Sequence, residues 1–226
     1  MVINNRGKVG LCKKFAVPVK QKVGSGTAAI KASKDFRFGH RGHQHPYGLC
    51  ICCDELRVIF VHIPKNGSSS LRSLFSGKQY HGREVNYFDL PEDVRRTYYT
   101  FCVLRDVRSR FHSAINTILS RDQTDISGLS ADNLCQMVDD MVDAHLVRQI
   151  DFVDGLRIDY YLPFSKLGDI PIHKNSYKPE VKETKLIRNI PDKVIDTVYA
   201  RDSKLVRKHL NNSSGHARFM RRLRLK

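Results

Sequence analysis

The sequence predicts an α/β fold, in which helices flank a mostly parallel central sheet. Two observations support this prediction: short apolar runs of strand length recur along the chain, and segments with apolar residues at helical spacing lie between them. Strands that alternate with helices are typical of parallel sheets, because a crossover between parallel strands needs a long connection. Ligands of such sheets bind at the carboxyl ends of the strands.

Three apolar runs are predicted strands, namely 58–63, 98–104 and 157–162. Four helices are predicted between and after them, because apolar residues repeat there at intervals of three and four. They begin at Ser68, after Asp106, at Ser130 and after Ile190. The third is predicted to continue to Ile150 and to carry His145 on its apolar stripe.

The formal net charge of +16 on 226 residues predicts an anionic partner: a nucleotide, an acidic polymer, a nucleic acid or a membrane surface. Basic residues at both ends define a predicted N-terminal extension, 1–46, a folded domain, 47–210, and a C-terminal tail, 211–226. No apolar stretch approaches the roughly 18 residues of a membrane span, and the basic N-terminus lacks the apolar core of a secretory signal.

Six cysteines without a secretory signal favour reduced thiols over a disulfide framework. A tetrahedral zinc site can be drawn from His43, His45, Cys50 and Cys53, since the two cysteines have zinc-ligand spacing. The segment matches no recognised zinc module. Reduced thiols beside a basic loop are therefore the favoured interpretation, and no metal is predicted.

Residues 58–75 are predicted to form a strand, a polar turn and the start of a helix, an arrangement that binds anions. Backbone N–H groups of the first helical turn and the helix dipole both favour negative charge. Lys65 adds a cation, and Ser68, Ser69 and Ser70 add hydroxyl donors. The motif is not that of a nucleotide-triphosphatase P-loop, because Gly-x-x-x-x-Gly-Lys-Ser/Thr is absent. An ordinary capped helix is the structural alternative.

A second motif follows the second predicted strand, where Arg105 lies at the strand end and Ser113 lies two helical turns later. Arginine can bind a phosphate with two hydrogen bonds, and the serine hydroxyl can donate to the same group. The alternative for Arg105 is a salt bridge with Asp106 or another carboxylate.

Taken in this order, the two motifs resemble those of the sulfotransferase superfamily, whose members use 3′-phosphoadenosine 5′-phosphosulfate as sulfuryl donor. The first motif is similar to the family's 5′-phosphosulfate loop, with Asn66 in place of the usual Thr. The second is similar to its 3′-phosphate motif, with Val107 in place of the usual Pro. The match is nearest to the carbohydrate-modifying branch. The resemblance implies a P-loop-like three-layer fold and a reaction that requires no metal.

The resemblance also implies roles for individual residues. The residues that would hold the donor are Lys65, Asn66, Gly67, Ser68, Ser69, Ser70, Arg105 and Ser113. Lys65 would in addition neutralise the bridging oxygen as the nucleotide leaves. Sulfuryl transfer spreads charge over equatorial oxygens, so catalysis consists mainly of positioning and electrostatic stabilisation.

The acceptor hydroxyl needs a general base, which carbohydrate sulfotransferases commonly carry between the two motifs. His81 lies there and is the predicted catalytic base, and Glu84 is the nearby alternative. His62 in the first strand, and His112 and His145 on helices, are predicted to be core or capping residues.

The resemblance implies a hydroxyl acceptor that is a carbohydrate, and the basic charge suggests an anionic one; no nucleic-acid partner is expected. Two other classes are weighed against it. A kinase-like enzyme would hold magnesium through Asp106, and a nucleic-acid-binding protein would use the basic ends of the chain. Without a signal or anchor, a complete chain is expected in the cytoplasm, whereas anchored relatives of the family work in the Golgi lumen.

Overall fold

The computed structural model describes residues 48–76, 80–122, 131–139, 143–170, 190–210 and 213–223. The predicted N-terminal extension, with His43 and His45, lies outside the described residues. Within them, helices flank a five-stranded sheet, so the predicted α/β class is confirmed. None of the helices described is long and apolar enough to span a bilayer.

The sheet has the strand order β3-β1-β2-β4-β5. Its strands are β1 (Leu49–Cys53), β2 (Val58–Val61), β3 (Arg83–Asn86), β4 (Tyr99–Leu104) and β5 (Tyr160–Pro163). β2, β4 and β5 are the three strands predicted from apolar runs. β1 and β3 were not predicted; β3 is short and begins with two charged, exposed residues, a pattern typical of an edge strand.

The sheet is mixed, and the prediction of a mostly parallel sheet is wrong. β4 pairs in parallel with β2 and with β5, whereas β1 pairs antiparallel with β2 and with β3. The antiparallel half arises because a tight turn at residues 54–57 joins β1 to β2, and a turn of that length can only reverse the chain. The parallel half contains the helical crossovers that the sequence predicts.

Eight α-helices belong to the described part of the chain. They are α1 (Ser68–Phe75), α2 (Glu92–Thr97), α3 (Val107–Asp122), α4 (Ala131–Asp139), α5 (Gln149–Val153), α6 (Asp192–Val198), α7 (Ala200–His209) and α8 (Ser213–Leu223). The starts of α1, α3 and α6 agree with the sequence prediction.

The prediction of one helix over 130–150 is wrong. α4 is followed by a turn at residues 144–146, and α5 begins only at Gln149. Asp143 causes the interruption, because its side chain accepts the backbone N–H of His145 at 2.7 Å and its carbonyl accepts that of Leu146 at 2.9 Å. His145 therefore lies in a turn, not on a helix.

Two apolar layers cover the two faces of the sheet, because successive strand side chains point to opposite faces. On one face Ile59 and Val61 pack with residues of α5 and α7, among them Phe152 and Val206. The other face packs against α1 and α8. α3 and α4 share a third apolar cluster with α6 and the residues that flank it. The carboxyl ends of β2 and β4 emerge between these layers.

The segment predicted as a basic tail, 211–226, contributes α8 to the second of these layers. Phe219 is fully buried, and its ring centroid lies 4.7 Å from that of Phe101 and 5.0 Å from that of Tyr160. Leu223, four residues later on the same helical face, is also buried. Arg218, Arg221 and Arg222 lie on the opposite, exposed face of α8.

We expect Phe219→Ala to lower the free energy of unfolding by about 3–5 kcal/mol, because it removes a buried ring and leaves a cavity. Urea unfolding would measure the loss, and Arg218→Ala, on the exposed face of α8, should change stability by less than about 0.5 kcal/mol. If both variants matched the wild type, α8 would not be part of the core.

Candidate functional site

The two predicted motifs meet at the carboxyl ends of β2 and β4. These strands are parallel neighbours, with Val61 opposite Cys102, so the loops that follow them lie side by side. The Arg105 guanidinium donates a hydrogen bond from Nη1 to the Lys65 carbonyl at 2.9 Å. The structure therefore brings both motifs into one site, which we call the Lys65 loop site: residues 62–70 and 105–117.

The backbone of the loop is tightly constrained. Lys65 and Gly67 have φ angles of 68° and 78°, in the left-handed region. The positive φ of Gly67 favours glycine, and an added Cβ there would also press on the Leu167 side chain. Lys65 has no such freedom, and a lysine held with positive φ is local strain of a kind that is concentrated at functional sites.

Asn66 and Ser68, two of the predicted donor-binding residues, turn their side chains into the protein. Asn66 is buried, and its Nδ2 donates to the Val103 carbonyl and to Gln149 Oε1, each at 2.6 Å. The Ser68 hydroxyl donates to the Ile63 carbonyl at 2.6 Å. These side chains anchor the loop to the sheet and to α5 instead of facing a ligand.

The start of α1 retains donors for an anion. Its N-cap residue, Gly67, makes no side-chain cap, so no side chain closes the first turn. The Ser69 side chain is exposed and that of Ser70 is partly exposed, which places two hydroxyls at the surface of the same turn. The capped-helix alternative therefore does not describe this helix end.

Gln149 is the residue of the site that the sequence reasoning missed. Its side chain exchanges two hydrogen bonds with the backbone of Arg105, at 2.9 and 3.0 Å, and accepts a third from Asn66. Its own N–H donates to the buried Asp202 carboxylate at 2.7 Å. A buried glutamine at the start of α5 links the two loops, and nothing in its sequence surroundings distinguishes it from a surface residue.

Three cations converge on the loop. Arg110 is buried, and its Nε donates to the Pro64 carbonyl at 3.1 Å. Lys65 Nζ donates to the Thr117 hydroxyl at 2.6 Å. The pKa of Lys65 is lowered, first by burial of its side chain and then by the positive charges of Arg105 and Arg110.

The negative charge opposite these cations is small. Asp202 is buried and acts on Arg110 electrostatically, but it also accepts the N–H groups of Gln149 and Ile150. Within the described residues no carboxylate forms an ion pair with Lys65, and the buried Arg110 Nη2 has no hydrogen-bond partner. A partly dry site with this surplus of positive charge attracts an anion.

The second motif contributes Arg105 and Ser113 to the site. The Arg105 guanidinium lies over the Phe164 ring, 4.5 Å from its centroid, and its Nε donates to the Ser109 hydroxyl at 3.0 Å. Ser113 is partly buried on α3, and its carbonyl accepts the same Thr117 hydroxyl that Lys65 contacts. Lys65, Arg105 and Ser113 are thus within one contact network.

Asp106 has a structural role. Its Oδ1 accepts the N–H of Ser109 at 2.9 Å and so caps the start of α3. The Asp106 carboxylate, which a kinase-like enzyme would need to bind magnesium, is therefore engaged in capping α3.

The structure does not bring His81 to the site. In the sheet, Arg83 of β3 lies opposite Cys52 of β1, and Cys52 lies opposite Ile59, near the start of β2. The chain just before β3 therefore lies at the amino end of β2. His81 is exposed there, and its Nδ1 lies 3.4 Å from Glu55 Oε1, in the turn between β1 and β2. The Lys65 loop follows the opposite, carboxyl end. Sequence order between the motifs did not reveal this, because β3 was not predicted.

Glu84, the alternative base, is in β3 and pairs with Arg72 Nε at 2.8 Å. His112 lies on α3, 6.1 Å from the ring of its neighbour Phe111. His62, which directly precedes the loop, has its pKa lowered to about 4 by burial and by the nearby charges of Arg72 and His145.

The zinc site drawn from the sequence is not possible with both cysteines. Cys50 and Cys53 are three residues apart in β1, so their side chains point to opposite faces of the sheet and belong to different apolar clusters. Burial raises the pKa of both thiols well above the ordinary value. Both are structural thiols within the sheet.

No protein-family model matches this chain, and neither a curated protein nor a solved structure matches it.

His62 predicts a pH dependence of stability. Its pKa in the folded protein is about 4, below the ordinary 6.5, so between these values the unfolded chain takes up a proton that the folded one does not. We expect the melting temperature to fall as the pH decreases from 7 towards 4. In His62→Gln, calorimetry should show a shallower fall, and an unchanged slope would contradict a half-buried, neutral His62.

Proposed function

We propose that the chain is a sulfotransferase that binds 3′-phosphoadenosine 5′-phosphosulfate at the Lys65 loop site and transfers its sulfuryl group to a hydroxyl. The observation that carries this proposal is the contact between Arg105 and the Lys65 carbonyl, which joins two anion-binding motifs in one site. A single phosphate needs one such motif, whereas a nucleotide with phosphates at both ends of its ribose needs two. The strand–loop–helix unit of β2 and α1 would then be the phosphate-binding part of a P-loop-like fold.

The 5′-phosphosulfate would lie at the start of α1. Backbone N–H groups of the first helical turn and the Ser69 and Ser70 hydroxyls would hold its oxygens. Lys65 would release its bond to Thr117 and neutralise the bridging oxygen as the nucleotide leaves. Asn66 and Ser68 would contribute by fixing the loop, not by contacting the donor.

The 3′-phosphate would be bound by Arg105 and Ser113, the residues that the family resemblance implies. Arg105 now braces the loop through Lys65 and Ser109, so binding would require its guanidinium to exchange one of these bonds for the phosphate. Gln149 holds the Arg105 backbone on both sides, which would keep the side chain aimed at the site during this exchange.

The acceptor is proposed to be a carbohydrate hydroxyl, and the surplus of basic residues suggests that the carbohydrate is anionic. Arg72, one turn into α1, is the described cation next to the site that would face it. Its partner Glu84 is exposed, so solvent screens their ion pair.

The test is thermal stabilisation by adenosine 3′,5′-bisphosphate compared with ATP plus magnesium. At 100 times the dissociation constant the bisphosphate would add about 2.7 kcal/mol, which corresponds to roughly 5–10 °C for a domain of this size. Arg105→Ala should abolish the shift, and Arg218→Ala, a surface arginine on α8, should leave it unchanged. A larger shift with magnesium ATP, or a bisphosphate shift that survives Arg105→Ala, would contradict the proposal.

A further inference from the structure

The proposed transfer lacks a proton acceptor at the correct end of the sheet, because His81 lies at the amino end of β2. A general base must reach the acceptor hydroxyl, and this hydroxyl must lie beside the Lys65 loop. Candidate imidazoles and carboxylates are therefore those near the carboxyl end of β2. We compare three described residues: His62, which follows β2, Glu84, which pairs with Arg72 of α1, and His145.

His145 has the geometry of an oriented base. Its Nδ1 lies 2.8 Å from Asp143 Oδ1, and its backbone N–H donates to the same oxygen at 2.7 Å. Asp143 is 4 % exposed, so its carboxylate is desolvated and held in place. The His145 side chain is 22 % exposed. A neutral imidazole that donates Nδ1–H to a carboxylate carries its lone pair on Nε2, and the carboxylate stabilises the imidazolium after proton uptake.

The turn that carries His145 lies near the Lys65 loop site, because His145 acts electrostatically on His62. Ala144, in this turn, and Val147, which follows it, belong to the same apolar cluster as Ile63 of the Lys65 loop site. Gln149, four residues later, contacts both Asn66 and Arg105. His145 is also near enough to His62 to act on its charge, and His62 directly precedes the loop.

The other two candidates are poorer bases. The pKa of His62 is lowered to about 4 by burial and by the charges of Arg72 and His145, so its ring has little affinity for a proton. The Glu84 carboxylate is already engaged in an ion pair with Arg72, at 2.8 Å.

We infer that His145, positioned by Asp143, is the general base that deprotonates the acceptor hydroxyl. This inference rests on the proposed sulfotransferase function. In the step, the acceptor oxygen forms a bond to sulfur while its proton passes to His145 Nε2. The bond from sulfur to the 5′-phosphate oxygen breaks, its electron pair stays on that oxygen beside Lys65, and the imidazolium later returns the proton to water.

Three variants should distinguish a loss of donor binding from a loss of sulfuryl transfer. Sulfuryl transfer from ³⁵S-labelled donor would be measured on desulfated heparin, chondroitin and p-nitrophenol, alongside the thermal shift with adenosine 3′,5′-bisphosphate. His145→Ala should lower kcat/KM at least about 100-fold and keep the shift, and Asp143→Asn should lower it at least about 10-fold. His81→Ala, a histidine at the other end of the sheet, should stay within about twofold of wild type.

The pH profile provides a readout that a merely structural role would not change. The wild-type rate should rise with pH to a plateau, as expected of a step that needs a proton acceptor. The titratable groups beside His145 are Asp143, on its own turn, and His62, which follows β2. The residual rate of His145→Ala should lack this rise. Transfer by His145→Ala within about threefold of wild type would overturn the inference alone. A wild type that shows neither transfer nor a bisphosphate shift would overturn the proposed function with it.

Discussion

The hydrogen bond from Arg105 to the Lys65 carbonyl is the interaction on which the site depends. It can form only because β2 and β4 are parallel neighbours, which places the loops after both strands at one edge of the sheet. Gln149 stabilises this contact, because it binds both the backbone of Arg105 and the side chain of Asn66. The fold and the site are therefore joined by a few buried polar contacts between one strand end, one loop and one short helix.

These contacts concentrate positive charge at the Lys65 loop site. Without a bound anion, this charge destabilises the folded chain. Lys65 is partly buried between two arginines, its pKa is lowered, and its backbone is in a left-handed conformation. Each of these features opposes folding, since burial and like charges disfavour a protonated amine and the left-handed region disfavours a side chain with a Cβ. Asp202 offsets part of the charge of Arg110. An anion at the start of α1 would offset the rest, which is the physical reason to regard the loop as a binding site.

Much of this site follows from local sequence, and the remainder does not. The apolar runs before Lys65 and Arg105 predict two strands with polar ends, and the structure shows these strands as parallel neighbours. The anion site at their ends stays a prediction. The inward orientation of Asn66 and Ser68 depends on carbonyls of Val103 and Ile63, which only the folded chain brings near. The role of Gln149 could not be predicted for the same reason, because its partners Asn66 and Arg105 are distant in the sequence. The position of His81 depends on β3, an edge strand whose polar, exposed residues carry no strand pattern.

We infer that Lys65 lowers the stability of the ligand-free protein and that a bound anion restores it. The most direct measurement is the unfolding midpoint of wild type and Lys65→Met, each with and without adenosine 3′,5′-bisphosphate. We expect the variant without ligand to be at least as stable as wild type, because it loses a repelled charge, and to gain nothing from the bisphosphate. A variant that is less stable without ligand and still gains the full bisphosphate shift would show that Lys65 supports the fold instead of the anion.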